Sequence, residues 1–315
     1  MRLTPAAVLH DGAGIGIFSP SDRLTMNFPD LVEIGVKTLQ QHGFKTKFAK
    51  NYMAQDGIRA GTVAERLSDI NQLLDDLDVH ALLASWGGKS CNHLVGDLPY
   101  EKFFRKRKPL LGFSDVTVLL NTVTAKTGLV TFHGPNNAGQ LNQSSWSDLR
   151  CLLSNFVWSQ FNLLAGAKSI SESTVLRQGT AKGRLFGGNL NCFVLGVVMS
   201  KIDLNFFDNG IFFWEEIGMT PRQIDQFLTA LVNFGFMGRI SGMVIGDFFA
   251  AEAEEALRSN PLDSVMNAIS AYDFPVVYAP SFGHKTLENP VFPIGALASL
   301  DTKSFSLHID EPVLS

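Results

Sequence analysis

Ser114 ends an apolar run and opens a helical pattern, in Leu110-Leu111-Gly112-Phe113-Ser114-Asp115-Val116-Thr117. A strand that passes at once into a helix forces a tight turn, and a serine there carries its hydroxyl out of the sheet beside a free backbone N–H, as a serine nucleophile does. The same octet also reads as a capped helix, since serine is a preferred N-cap residue and Asp115 suits a first turn. A nucleophilic serine needs a base to take its proton and an acid to hold that base. Both residue types stand at the ends of apolar runs further along: Glu215-Glu216 after Phe213-Trp214, and His284 after Phe282-Gly283. Taken singly, Glu215 or Glu216 is a solvated strand end and His284 a loop histidine bonded to backbone. Together, Ser114, Glu215 and His284 are the chemical parts of a triad, whose order along the chain geometry leaves free.

A third feature is Ser85-Trp86-Gly87-Gly88-Lys89-Ser90, after the apolar run Val79 to Ala84. A strand, a glycine pair and then a helix bring bare N–H groups close to an anionic group; a plain turn that needs glycine for its dihedrals is the alternative. Gly14-Ile15-Gly16 is not a dinucleotide fingerprint, because Phe18 and Ser19 follow instead of a third glycine opening a helix. The acid expected near the end of a second strand is also missing between Phe44 and Lys50.

The elements that must position these residues alternate. Strand patterns at Ala13 to Phe18, Phe44 to Phe48, Val79 to Ala84, Pro109 to Phe113 and Leu129 to Phe132 are separated by helical ones, including a capping box at Thr62-Val63-Ala64-Glu65. Short, continuous apolar strands between helices predict a mostly parallel sheet covered on both faces. Ligands bind such sheets outside the carboxyl ends of the strands, where Ser19, Gly87-Gly88, Ser114 and His133 all fall. Beyond Gln140 come the polar stretch Asn142 to Ser145, a helix from Ser147 to Asn155 and an irregular segment to Gln178. Residues 1–150 therefore read as an N-terminal nucleophile domain, 151–175 as a linker and 176–315 as a C-terminal domain carrying the glutamate and histidine. The second half has a strand and turn from Lys182 into a helix to Met199. Strands follow at Ile211 to Glu216, Met243 to Gly246 and Pro275 to Tyr278. A helix begins at Thr220-Pro221, and a hairpin closes the chain from Ala296 to His308.

Composition excludes other classes. The chain has 315 residues, 45% apolar and 18% charged, with a net charge of −4. The one basic cluster, Arg105 to Lys108, reads as a solvated loop, so nucleic acid is not an expected partner. The start lacks the pattern of a signal peptide and no apolar run reaches spanning length, so a soluble cytoplasmic protein without a membrane partner is expected. Cys91, Cys151 and Cys192 are isolated and odd in number, which argues against a disulfide framework and a zinc site; no metal and no cofactor are expected.

Taken in order, the motifs resemble the LD-carboxypeptidase family of serine peptidases, which includes the microcin C immunity peptidases. Gly112-Phe113-Ser114-Asp115-Val116-Thr117 matches its Gly-Tyr-Ser-Asp-Ile-Thr-like turn. Gly87-Gly88 matches its glycine pair, His133-Gly134-Pro135 its His-Gly-Pro segment and Gly187-Gly188-Asn189-Leu190 its Gly-Gly-Asn-Leu. Glu215-Glu216 stands at its Glu-Asp strand end. Phe282-Gly283-His284, Pro293-Ile294-Gly295 and Leu300-Asp301 complete the order.

The resemblance implies an α/β fold, with a flavodoxin-like or amidotransferase-like parallel-sheet domain first, then a smaller β-rich α/β domain. The site would lie between them in a homodimer. Ser114 would be nucleophile, His284 general base and Glu215 its orienting carboxylate, with Glu216 a neighbour. The backbone N–H groups of Gly88 and Asp115 would form the oxyanion hole. Trp86, Gly87, Lys89, Asn92 and Asn189 are substrate-binding candidates. Trp86 stands where many members have arginine, and Lys89-Ser90-Cys91-Asn92 replaces their Tyr-Gly, as in the immunity branch. Met219 stands near a place where another acid often follows. The expected activity is hydrolysis of the L,D bond that releases the terminal D-alanine of a murein tetrapeptide, a step of peptidoglycan recycling. Alternatives are hydrolysis of a peptidyl- or acyl-nucleotide amide, and non-catalytic binding of a small peptide.

Overall fold

The computed structural model describes residues 3–23, 29–138, 158, 162–166, 172–200, 202–250, 260–286 and 289–315. The predicted helix from Ser147 to Asn155, and most of the predicted linker, lie outside these residues.

The predicted strands of the first half become β1 (Gly14–Phe18), β2 (Lys45–Phe48), β3 (Ala81–Ala84), β4 (Leu110–Gly112) and β5 (Thr131–His133). Between them lie α1 (Pro29–Gln41), α2 (Val63–Asp75), α3 (Tyr100–Lys106) and α4 (Thr117–Thr127). The capping box forms as expected: Thr62 Oγ1 accepts from the Glu65 N–H at 3.2 Å and Glu65 Oε2 from the Thr62 N–H at 2.8 Å. The second half supplies β6 (Thr174–Arg177), β7 (Thr180–Asn189), β8 (Gly210–Met219), α5 (Pro221–Asn233), β9 (Ile240–Ala250), α6 (Pro261–Ala268), β10 (Val276–Tyr278), β11 (Phe292–Ile294), β12 (Leu297–Asp301) and β13 (Ser306–Ile309).

Two sheets result, one of six strands in the order β11-β5-β4-β3-β1-β2 and one of seven in the order β13-β12-β7-β8-β9-β10-β6. In the first, β1 to β5 are parallel and β11 is antiparallel to β5, with Phe292 opposite His133. The second has a parallel core from β7 through β10, flanked by antiparallel strands. Helix α4 is buried nearly all round and touches β4, β5 and β7, so it lies between the sheets. Among the described residues, no helix is long and apolar enough to cross a membrane.

Several elements differ from the sequence-based expectation. Strand β6 forms within the segment read as irregular, and β8 runs on to Met219, so Glu215 and Glu216 lie inside the strand and not at its end. Arg105 and Lys106 form the last turn of α3, where positive charge complements the helix dipole. The neighbouring Lys108 donates to the Leu73 and Asp76 carbonyls at 2.9 and 2.7 Å. That cluster is therefore largely structural. The expected helix to Met199 breaks into a turn at Leu190–Cys192, a π segment at Phe193–Val197 and a 3₁₀ turn at Val198–Ser200, with Gly196 lowering helical preference at its centre. Strand β11 crosses back to the first sheet. Its three residues are too few to show a period, and Pro293 is compatible with the edge strand it forms.

Candidate active site

Ser114 follows Phe113, whose backbone is extended (φ −139°, ψ 165°), and is itself left-handed at φ 61°. For a residue with a Cβ that conformation costs about 1–3 kcal/mol, and it persists only where the surroundings impose it. Here the Phe113 N–H donates to Asn136 Oδ1 at 2.9 Å, while Asn136 Nδ2 donates to the Phe113 carbonyl at 3.4 Å. Phe113, not Ser114, holds the N-cap place, and it makes no side-chain cap bond. The capping reading of Ser114 is thus not realised; its hydroxyl lies 3.0 Å from His284 Nε2.

Glu215 reaches the same histidine through the second sheet. Helix α4 is pinned to β7 by Asn121, whose Nδ2 donates to the Gly187 carbonyl at 2.8 Å and whose Oδ1 accepts the Gly187 N–H at 3.2 Å. Thr117 Oγ1 accepts the Asn189 N–H at 3.0 Å. Asn189 pairs with Glu215 across β7 and β8, so the helix that starts at the serine turn sets the position of the glutamate. Between Trp214 and Glu216 the register with β9 slips, β9 advancing three residues for two of β8, a bulge of the kind that re-aims side chains. Glu215 is fully buried and its Oε2 lies 2.6 Å from His284 Nδ1. Glu216 accepts instead from the N–H groups of Asn191 and Ile217 at 2.9 and 2.8 Å.

His284 sits on a turn braced by Asn289, which accepts the Gly283 N–H at 2.7 Å and donates to the Gly283 carbonyl at 3.1 Å. Burial is the largest single influence on the His284 imidazole and opposes its protonation. The charge and hydrogen bond of Glu215, with the charges of Glu216 and Asp247, outweigh it, so the pKa stands above the ordinary histidine value. Replacing Asn289 with alanine is expected to lower kcat about 10-fold through loss of orientation, with Asn289→Asp milder because one acceptor remains. Steady-state kinetics on the two variants check this; equal wild-type rates would show that the brace is dispensable.

The glycine pair packs against the serine. A Cβ on Gly87 would lie 2.9 Å from Ser114 Cβ, and one on Gly88 (φ 141°) would lie 2.3 Å from Asp22 Cγ, so neither position admits a side chain. Among the described residues, the N–H groups of Gly88 and Asp115 have no acceptor. Beside them opens a cavity of about 220 Å³ lined by Trp86, Gly87, Gly88, Phe113, Ser114, Asn136, Ala138 and His284.

Other candidates fall elsewhere. Asn189 is buried behind Glu215: its Nδ2 donates to Glu215 and Glu216 at 3.3 and 3.2 Å, and its Oδ1 accepts the Cys192 N–H at 3.2 Å. It holds carboxylates and does not face the cavity. Lys89 and Asn92 line a separate cleft of about 90 Å³ with Asp115, Asn191 and Leu195. Sequence inspection missed Asn136 and Asn289, because asparagine in a loop has no pattern of its own.

His133 is sealed among Phe113, Phe213 and Phe292, and Ser19 is buried too, so neither lines the cavity. Burial, then the nearby His284, pushes the His133 pKa down to about 3. A histidine in the unfolded chain titrates near 6.5, so between those values the unfolded chain binds a proton that the folded one refuses, and stability falls as pH drops through that window. From pH 7 to 5 this contributes a loss of about 2 kcal/mol. The variant His133→Leu is expected to lack it, as measured by urea unfolding at the two pH values; an undiminished loss would remove His133 as its source.

Comparison with known proteins agrees with this architecture. Residues 15–134 match the LD-carboxypeptidase N-terminal domain and residues 182–300 the LD-carboxypeptidase C-terminal domain. The chain is 25% identical to the microcin C7 self-immunity protein MccF of Escherichia coli, with 98% of this chain and 96% of that protein covered. It is 26% identical to the murein tetrapeptide carboxypeptidase of Pseudomonas aeruginosa, with 86% and 89% covered. A solved structure of MccF in complex with glutamyl sulfamoyl guanosine shares the fold, with a TM-score of 0.85 at 23% identity over 99% of both chains. With both domains matched in order around the serine turn, the glutamate of β8 and the loop histidine, the chain belongs to the LD-carboxypeptidase family.

Proposed function

We propose that the protein is a serine-type carboxypeptidase that cleaves the L,D bond at the C-terminus of a murein tetrapeptide. The carrying observation is that one imidazole, His284, lies within hydrogen-bond distance of both Ser114 (3.0 Å) and Glu215 (2.6 Å). In this reading His284 Nε2 takes the hydroxyl proton as Ser114 Oγ bonds to the scissile carbonyl carbon. The resulting oxyanion meets the free N–H groups of Gly88 and Asp115. The C–N bond then breaks, His284 returns the proton to the leaving D-alanine amine, and water cleaves the acyl-serine by the same steps. Glu215 holds the imidazole in the tautomer with Nδ1 protonated. We place the enzyme in the cytoplasm, as a homodimer, in peptidoglycan recycling.

Trp86 favours a second substrate. Trp86 lines the cavity, and an indole is suited to stack on a nucleobase, as hydrolysis of a peptidyl- or acyl-nucleotide amide would use. Incubating the protein with a murein tetrapeptide and with an acyl-sulfamoyl adenylate, read by mass spectrometry, separates the two. Release of D-alanine is the expected result; cleavage of the adenylate alone would establish the second substrate, and cleavage of neither would return the site to simple peptide binding.

A further inference from the structure

We propose that the Asp115 carboxylate is the positioning group for both oxyanion donors, tying the glycine-pair loop to the serine turn so that the Gly88 and Asp115 N–H groups converge. This rests on the serine-hydrolase reading and goes beyond it, since that reading uses only the backbone of Asp115.

Asp115 is 4% exposed. Its Oδ2 accepts the Ser21 hydroxyl and the N–H groups of Ser90 and Cys91, the latter two at 2.8 Å each, and Oδ1 lies 3.6 Å from Cys192 Sγ. Among the described residues no lysine or arginine contacts it. A buried carboxylate without a cation is tolerated only where hydrogen bonds satisfy it, so the loop must hold the one backbone shape that aims two successive N–H groups at Oδ2. The other side of the loop is held as well: Arg66, 1% exposed, donates to the Pro20 and Ser90 carbonyls at 2.8 and 3.1 Å, and the Asp22 N–H donates to the Gly87 carbonyl at 3.2 Å. The loop is therefore fixed at Gly87, Ser90 and Cys91, while the Gly88 N–H between them has no acceptor among the described residues. Residue 115 also carries the second donor on its own backbone nitrogen, so the group that holds the loop and the donor at the serine turn belong to one residue.

The test is phosphonylation of Ser114 by a fluorophosphonate ester, alongside turnover of murein tetrapeptide. In phosphonylation the Ser114 Oγ–P bond forms as P–F breaks and fluoride leaves, His284 taking the serine proton, and the phosphoryl oxygen occupies the oxyanion position. Asp115→Ala is expected to lower the limiting phosphonylation rate and kcat about 10²-fold, with KI and KM within about 3-fold and circular dichroism unchanged. Asp115→Asn, which keeps an acceptor oxygen in place, is expected to recover to within about 10-fold of wild type. A folded Asp115→Ala protein with wild-type limiting rates, or with only KI and KM altered, overturns the proposal. If Asp115→Ala does not fold, Ser21→Ala removes one donor only; a loss of about 3- to 10-fold in the limiting rate supports the proposal and a wild-type rate overturns it. Wild-type protein that takes no label would overturn the serine reading and this proposal together, whereas a labelled wild type with unaffected variants overturns this proposal alone.

Discussion

Replacing Ser114 with alanine is expected to lower tetrapeptide turnover by about 10⁴- to 10⁶-fold, leaving only the rate that binding and oxyanion donors support by themselves. The serine turn also predicts a stability result. Ser114 stands at φ 61°, where a Cβ is crowded and glycine is not. Comparing Ser114→Gly with Ser114→Ala removes the hydroxyl from both, so its bond to His284 cancels. The glycine variant should then be the more stable by about 1 kcal/mol, although glycine in an ordinary helical position is the less stable by a similar amount. Equilibrium urea unfolding of the two variants reads the difference. An alanine variant as stable as the glycine one would mean that the turn stores no strain, and full turnover by Ser114→Ala would mean that this serine is not the nucleophile.

Glu215→Gln is expected to lower kcat by about 10³- to 10⁴-fold with little change in KM. Asn189 Nδ2 donates to Glu215 Oε1, so a glutamine would keep its oxygen there and turn its NH₂ toward His284 Nδ1. Nδ1 must then accept, the proton moves to Nε2, and the imidazole faces Ser114 with a donor where it needs an acceptor. The pH profile should change with it. The base works only when neutral, and with the pKa raised the ascending limb of kcat/KM lies above pH 6.5 in the wild type. Losing the Glu215 charge leaves burial less opposed, so in the variant the limb should move to lower pH. Initial rates between about pH 5 and 9 measure this; an unmoved limb would dissociate Glu215 from the titration of His284.

Much of the first half was legible because β1, β3 and β4 lie on continuous apolar runs and helices α2 and α4 begin or end on a recognisable cap, at Thr62 and Gly128. Elements without a period escaped notice: β11 has three residues, and α3 ends in the basic residues that suggested a loop. The site divides along the same line. Residue type at the end of an apolar run marked Ser114, Glu215 and His284 as chemically able, since a nucleophile, an acid and a base are properties of single side chains. Which of them meet is a property of long-range register: 170 positions separate Ser114 from His284 and 69 separate His284 from Glu215.

Only the tertiary structure, through α4 clasped to β7 and the bulge between β8 and β9, decides that Glu215 faces His284 while Glu216 is held by backbone. It likewise turns Asn189 from a substrate candidate into a partner of both glutamates, and gives the Asp115 side chain a hydrogen-bonding place that no motif announces. The physical reason is that a side chain's hydrogen bonds depend on which distant backbone groups it meets, and packing alone determines that.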